Sequence, residues 1–151
     1  MKKIGLFIVV IMGMAGCATV PFSDYIKADH PYMRKISGNY NKIIEAAKIV
    51  LFKENWKIQS ELNPSVYERN AQGEDQSKDV LLMTEIKHHP KIIYSSYTHL
   101  NIFIHAIADG AEVEIRYEIF SPTLIKQFHG SRNDPLAKRF LDKIEEELES
   151  K

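Results

Sequence analysis

Residues 94–120, YSSYTHLNIFIHAIADGAEVEIRYEIF, decide the fold. Two alternating runs, 94–108 and 111–120, flank Asp109-Gly110. Both positions of that dipeptide tolerate the positive φ of a tight hairpin turn. A two-residue loop there pairs Ala106 with Val113, Ile104 with Ile115, Ile102 with Tyr117 and Leu100 with Ile119. Every pair is apolar. The intervening pairs set His105 opposite Glu114, Phe103 opposite Arg116 and Asn101 opposite Glu118. Strand side chains alternate with a period of two, so both halves agree on one apolar face and one polar face.

The apolar face needs a cover, and the flanking sequence offers two. Asn39 can cap a helix running to about Glu54, with Tyr40, Ile43, Ile44, Ala47, Val50 and Leu51 on one stripe and Trp56 just beyond. Residues 57–62 and 66–70 read as short strands joined at Asn63-Pro64, 71–79 as a polar loop, and 80–88 as a third strand. After Pro122 comes a short edge strand at 124–128. Asn133-Asp134-Pro135 then combines capping residues with a proline at the first helical position. Leu136, Ala137, Phe140, Leu141, Ile144 and Leu148 line one side of the closing helix. The expectation is an α+β fold. It is a two-layer sandwich in which an antiparallel sheet of about five strands carries the N-terminal and C-terminal helices on its Leu100/Ile102/Ile104 face.

The chain of 151 residues suits one domain, and 20 basic against 20 acidic groups leave no cationic excess for nucleic acid. A single cysteine excludes a disulfide framework or a multi-thiolate zinc site. That residue, Cys17, follows Lys2-Lys3 and an uncharged run at 4–14. The run is shorter than the roughly 20 residues that span a bilayer, but it suits the apolar core of an export signal. Met14-Ala15-Gly16-Cys17 resembles the bacterial lipobox, with Met14 where leucine is the usual residue. The resemblance implies cleavage by signal peptidase II between Gly16 and Cys17, and acyl chains on the sulfur and amino group of Cys17. Ala18 in place of aspartate implies, by resemblance to the sorting rule of enteric bacteria, delivery to the outer membrane.

The expected organisation is a signal peptide at 1–16, a lipidated N-terminus and tether at 17–37, and an α+β domain at 38–151. Tyr25-Ile26 and Tyr32-Met33 are the tether's candidates for docking onto the domain. Loss of Lys2 and Lys3 leaves 18 basic against 20 acidic groups, a mildly acidic mature chain.

Catalytic signatures are sparse. His88 and His89 are adjacent and point to opposite faces of a strand, while His99 and His105 stand about 20 Å apart along one. No metal centre is expected. There is no Gly-x-Ser-x-Gly elbow and no phosphate loop, and the only thiol is taken by the lipid. Glu74-Asp75 and the acidic run 145–147 read as solvated surface. The chain is therefore expected to be no enzyme and to carry no cofactor beyond the covalent lipid.

The candidate partner-binding face is the polar side of the hairpin: His99, Asn101, Phe103, His105, Arg116 and Glu118. It is expected to be wet, with Phe103 and Arg116 as a cation–π pair. Over residues 39–149, an Ala- and Ile-rich helix leads into Asn55-Trp56-Lys57-Ile58, then a meander and a closing helix. That pattern resembles small periplasmic lipoprotein modules, such as the repeated domain of the C subunit of the outer-membrane β-barrel assembly machinery. The resemblance implies an accessory or scaffolding role. Two functions follow: a lipid-anchored, periplasm-facing module that binds an envelope protein, or a carrier of a small molecule or lipid in a cavity between helices and sheet.

Overall fold

The computed structural model describes residues 23–27, 32–67, 78–90, 95–121, 126–129 and 135–150, and the long hairpin lies at the centre of its sheet. Seven strands join among the described residues, against the five expected, and every pairing is antiparallel. They are β1 (Tyr32–Ser37), β2 (Ile58–Leu62), β3 (Val80–Thr84), β4 (Lys87–Pro90), β5 (Ser95–Ile107), β6 (Gly110–Ser121) and β7 (Lys126–His129). The helices are α1 (Tyr40–Lys53) and α2 (Pro135–Glu149). β5 and β6 pair along their length. β1 and β7 flank β6, β3 and β4 flank β5, and β2 lies beyond β3. The class is α+β.

The hairpin closes two residues off the expected register. Ile107 pairs with Gly110, so Ala108 and Asp109 make the turn. The apolar partners become Ile104–Val113, Ile102–Ile115 and Leu100–Tyr117; the polar ones become His105–Glu112, Phe103–Glu114, Asn101–Arg116 and His99–Glu118. An even shift leaves each side chain on the face assigned to it. The physical reason is Gly110. Its φ is +155°, and a Cβ there would lie 2.1 Å from the Ile36 carbonyl oxygen. The glycine serves the close passage of β1 rather than the turn, and neither turn residue has positive φ.

β1 corrects the expected tether. Tyr32 pairs with Ile115, and the ladder runs on to Ser37 with Gly110, so the folded body begins before residue 38. Without β1, this stretch of β6 would present an open edge. Ile36 enters the core, and the Arg34 guanidinium meets Asp142 at 2.8 Å and Glu145 at 2.7 Å on α2.

Two other strands differ. Pro64–Val66 is a 3₁₀ turn, because the Asn63 side chain accepts from the Ser65 amide at 2.9 Å and caps it. Tyr67 ends that turn, and residues 68–77, the rest of the strand expected at 66–70 and most of the expected loop, lie outside the described residues. The strand expected at 80–88 breaks at Glu85-Ile86, where one extra residue is bulged out between the segments pairing with β5. The Glu85 amide donates instead to Lys57 O at 2.8 Å.

Local chemistry explains the helix ends. The Asn39 side chain accepts from the amides of Asn41 and Lys42 at the start of α1. At the other end Asn55 takes φ +57°, a left-handed residue that reverses the chain and delivers Trp56 to the core. Pro135 opens α2, while the expected caps Asn133 and Asp134 lie outside the described residues. Ile43, Ala47 and Leu51 of α1 share one buried core with Phe140, Leu141 and Ile144 of α2 and with Leu100, Ile102 and Ile104 of β5. Trp56 meets Phe140 edge-on, with ring centroids 6.4 Å apart.

Candidate functional site

The six candidate residues do share one face, but that face is covered rather than wet. His99, Asn101, Phe103, Arg116 and Glu118 are all buried, and His105 is half-buried. The cover is the chain's own residues 23–27, so the Tyr25-Ile26 docking expectation holds. We refer to this segment as the strap. Ile26 is buried, and Tyr25 packs against a second apolar cluster of Leu81, Met83 and Phe103. The face is not purely polar because β3 adds Leu81 opposite Phe103 and Met83 opposite Asn101. An apolar patch threaded with charge gains by excluding water only where each polar group finds a partner.

The strap supplies those partners largely through its backbone. Asn101 Nδ2 donates to Asp24 O at 3.2 Å, and Arg116 Nη1 donates to Ile26 O at 3.2 Å and to Tyr25 Oη at 3.0 Å. The guanidinium lies 3.8 Å from the Phe103 ring centroid. The expected cation–π pair therefore forms, but across a diagonal, since Arg116 sits opposite Asn101. Tyr25 stands edge-on to Phe103 at 6.0 Å and stacks on Tyr67 at 4.8 Å.

Charge continues sideways from Arg116. Its Nε donates to Glu114, whose other oxygen lies 3.8 Å from His105 Nε2; His105 Nδ1 is 3.0 Å from Asp79 Oδ2. Asp79 Oδ1 in turn accepts from the Ala106 amide at 3.1 Å. Two carboxylates thus alternate with two cations. Glu114, and then Asp79, raise the His105 pKa to about 9 against the effect of burial. An imidazolium held to that pH has no lone pair with which to act as a base near neutrality. Burial pushes the His99 imidazole below its ordinary value, partly opposed by backbone groups of Thr84 and Ser23.

The sign of the His105 shift gives a pH dependence. The folded-state pKa lies above the ordinary 6.5. The stabilisation is therefore full below pH 6.5 and is lost as pH rises through about 9. Its ceiling is about 3 kcal/mol, lowered because the ring is 27% exposed. Urea midpoints should fall between pH 6 and 9.5 in the native chain and much less in His105→Gln. Equal slopes in both would remove His105 from the account.

Asp79 and the strap residue Asp24 are the members that sequence reasoning missed; Asp79 closes a polar run and carries no local mark. Gly16 and Cys17 lie outside the described residues. Among the described residues, no group of three or more His, Cys, Asp or Glu is arranged to hold a metal ion. Nor, among them, is any helix long and apolar enough to cross a membrane.

A groove of about 350 Å³ lies on the sheet side that carries Leu100, beside the start of α2. Trp56, Lys87, Tyr117, Leu136 and Arg139 are among its walls. Lys87 Nζ sits 5.1 Å from the Trp56 ring and donates to Glu54 O at 2.9 Å. The Glu54 carboxylate pairs with Lys143 and Arg139, and Lys143 above all holds its pKa below the usual value. No family model matches the chain, and no curated protein matches it.

Proposed function

We propose that the chain is a non-enzymatic outer-membrane lipoprotein that faces the periplasm and binds or scaffolds another envelope component. The observation that carries this reading is the run Lys2-Lys3, residues 4–14 and Met14-Ala15-Gly16-Cys17. Residues 1–16 are the export signal and Cys17 bears the lipid. Each buried methylene contributes about 0.8 kcal/mol and a single chain holds only marginally, so two or three acyl chains are the anchor. The strap supports the reading: only six residues after Cys17 the chain is clamped onto the sheet, so the anchor and the body are closely coupled.

We read both helices as lying on the Leu100/Ile102/Ile104 face, which their shared core supports. That leaves the strap side as the one joined to the anchor. The polar residues expected to form an open docking face hold the strap instead, so they are not themselves the surface offered to an envelope component.

The second reading is a carrier. The groove beside Trp56 favours it, because about 350 Å³ falls at the small end of ligand pockets. Mass spectrometry tests both. The native chain should begin at Cys17 and carry a diacylglycerol and an acyl group, whereas Cys17→Ser should keep its full precursor mass. A mature chain with an unmodified Cys17 would sink the anchor. Under native conditions, a stoichiometric small molecule on the purified protein would select the carrier reading.

A further inference from the structure

The geometry points to the strap side of the sheet as a bilayer-contacting face, with Val66 and Tyr67 seated among lipid headgroups and Leu62 and Met33 flanking them. This inference rests on the lipidated Cys17 and the helix placement proposed above, and deepens them. The partner it names is a lipid surface.

Reach is the first argument. Ser23 is the sixth residue after Cys17, and a fully extended chain covers at most about 3.3–3.6 Å per residue. The strap is therefore rooted within about 20 Å of the membrane surface. To turn the helices toward the bilayer, that leash would have to round the sheet edge past about two strands, some 10 Å. It would then have to pass a helical layer about 10 Å thick on top of the sheet. The two distances consume the whole leash and leave nothing for the separation of the layers. The strap side faces the lipid.

Exposed apolar side chains are the second argument. Val66 is 68% exposed, Met33 48%, Tyr67 43% and Leu62 36%. Scattered singly, such residues need no explanation. Here Met33, Glu114, Phe103, Leu81 and Leu62 are successive partners in one row across the sheet, and Tyr25 of the strap packs on the middle of that row. Tyr67 stacks on Tyr25 of the strap itself, and Val66 is its neighbour. Leu62 pairs with Leu81, and Met33 with Glu114; directly paired side chains share a face, so both lie on the strap side. Tyrosine, with an apolar ring and a polar tip, is the residue type that bilayer interfaces favour.

The test uses the lipidated, full-length mature protein in vesicles of phosphatidylethanolamine and phosphatidylglycerol. Val66→Cys is labelled with a fluorophore, with Phe52→Cys as control; Phe52 lies in α1 and is 81% exposed. Acylated Cys17 does not react. With lipids brominated near the headgroup, the label at 66 should lose most of its emission and the label at 52 almost none. Equal quenching at both sites, quenching at 52 alone, or none at either overturns the orientation. The mass of the same sample separates the two readings. A chain without acyl mass overturns the anchor, and this orientation with it. A lipidated chain unquenched at 66 overturns the orientation alone.

Discussion

Arg116→Met lowers the stability of the fold by about 3–5 kcal/mol, the range for removing one member of a buried ion pair. Arg116 and Glu114 are each only 6% exposed, so neither charge has water to fall back on. Methionine keeps apolar contact with Phe103 but removes the donors to Glu114, Tyr25 Oη and Ile26 O. Each buried acceptor left unsatisfied costs roughly 1–3 kcal/mol. His105 remains 3.8 Å from Glu114 and softens the loss, which places the expectation at the lower end of the range. Urea unfolding gives the magnitude. Glu114→Gln combined with Arg116→Met should recover a large part of it, because no buried carboxylate is then orphaned. A single-variant cost under about 1 kcal/mol, typical of an ordinary surface change, would show that the network does not hold the strap.

The second large effect is Gly110→Ala. The new Cβ would lie 2.1 Å from Ile36 O, and 3.0 Å from both Ile36 C and Gly38 N. All three are backbone atoms of the crossing segment, so relief requires β1 to move. Strain at the +155° φ adds to the clash. Together they amount to about 3 kcal/mol or more. Gly38→Ala is the internal control, since its φ of +139° is also strained but no atom lies within 4 Å of its Cβ. The difference between the two urea midpoints isolates the clash. Should Gly38→Ala cost as much as Gly110→Ala, the close approach of β1 is not what glycine serves there.

These two residues also mark where the sequence was legible. The faces of the hairpin could be read because alternation is local and survives a two-residue slip. The partners could not, because Ile, Val, Ala and Tyr match as well in one register as in the other. The tie is broken by Ile36 crossing at Gly110, a contact between residues far apart in the chain. The burial of the polar face was hidden for a related reason. On two strands, His99, Asn101, His105, Arg116 and Glu118 look solvated; Leu81 and Met83, which turn that face into an interior, arrive from a third. Tyr25-Ile26 could be noticed as apolar residues in a tether. Asp79 could not, since only the fold brings it to His105. The helices were the easiest to read, because a stripe and a cap lie within a few residues of each other.

The strap also sets an order of assembly. Its contacts with Arg116 join residues 90 and 91 positions apart, and β1 pairs with strand positions almost as distant. A chain made N-terminus first must hold these segments in waiting until the hairpin has arrived, and such non-local pairing is slow. The first residues to emerge are among the last to be locked in place.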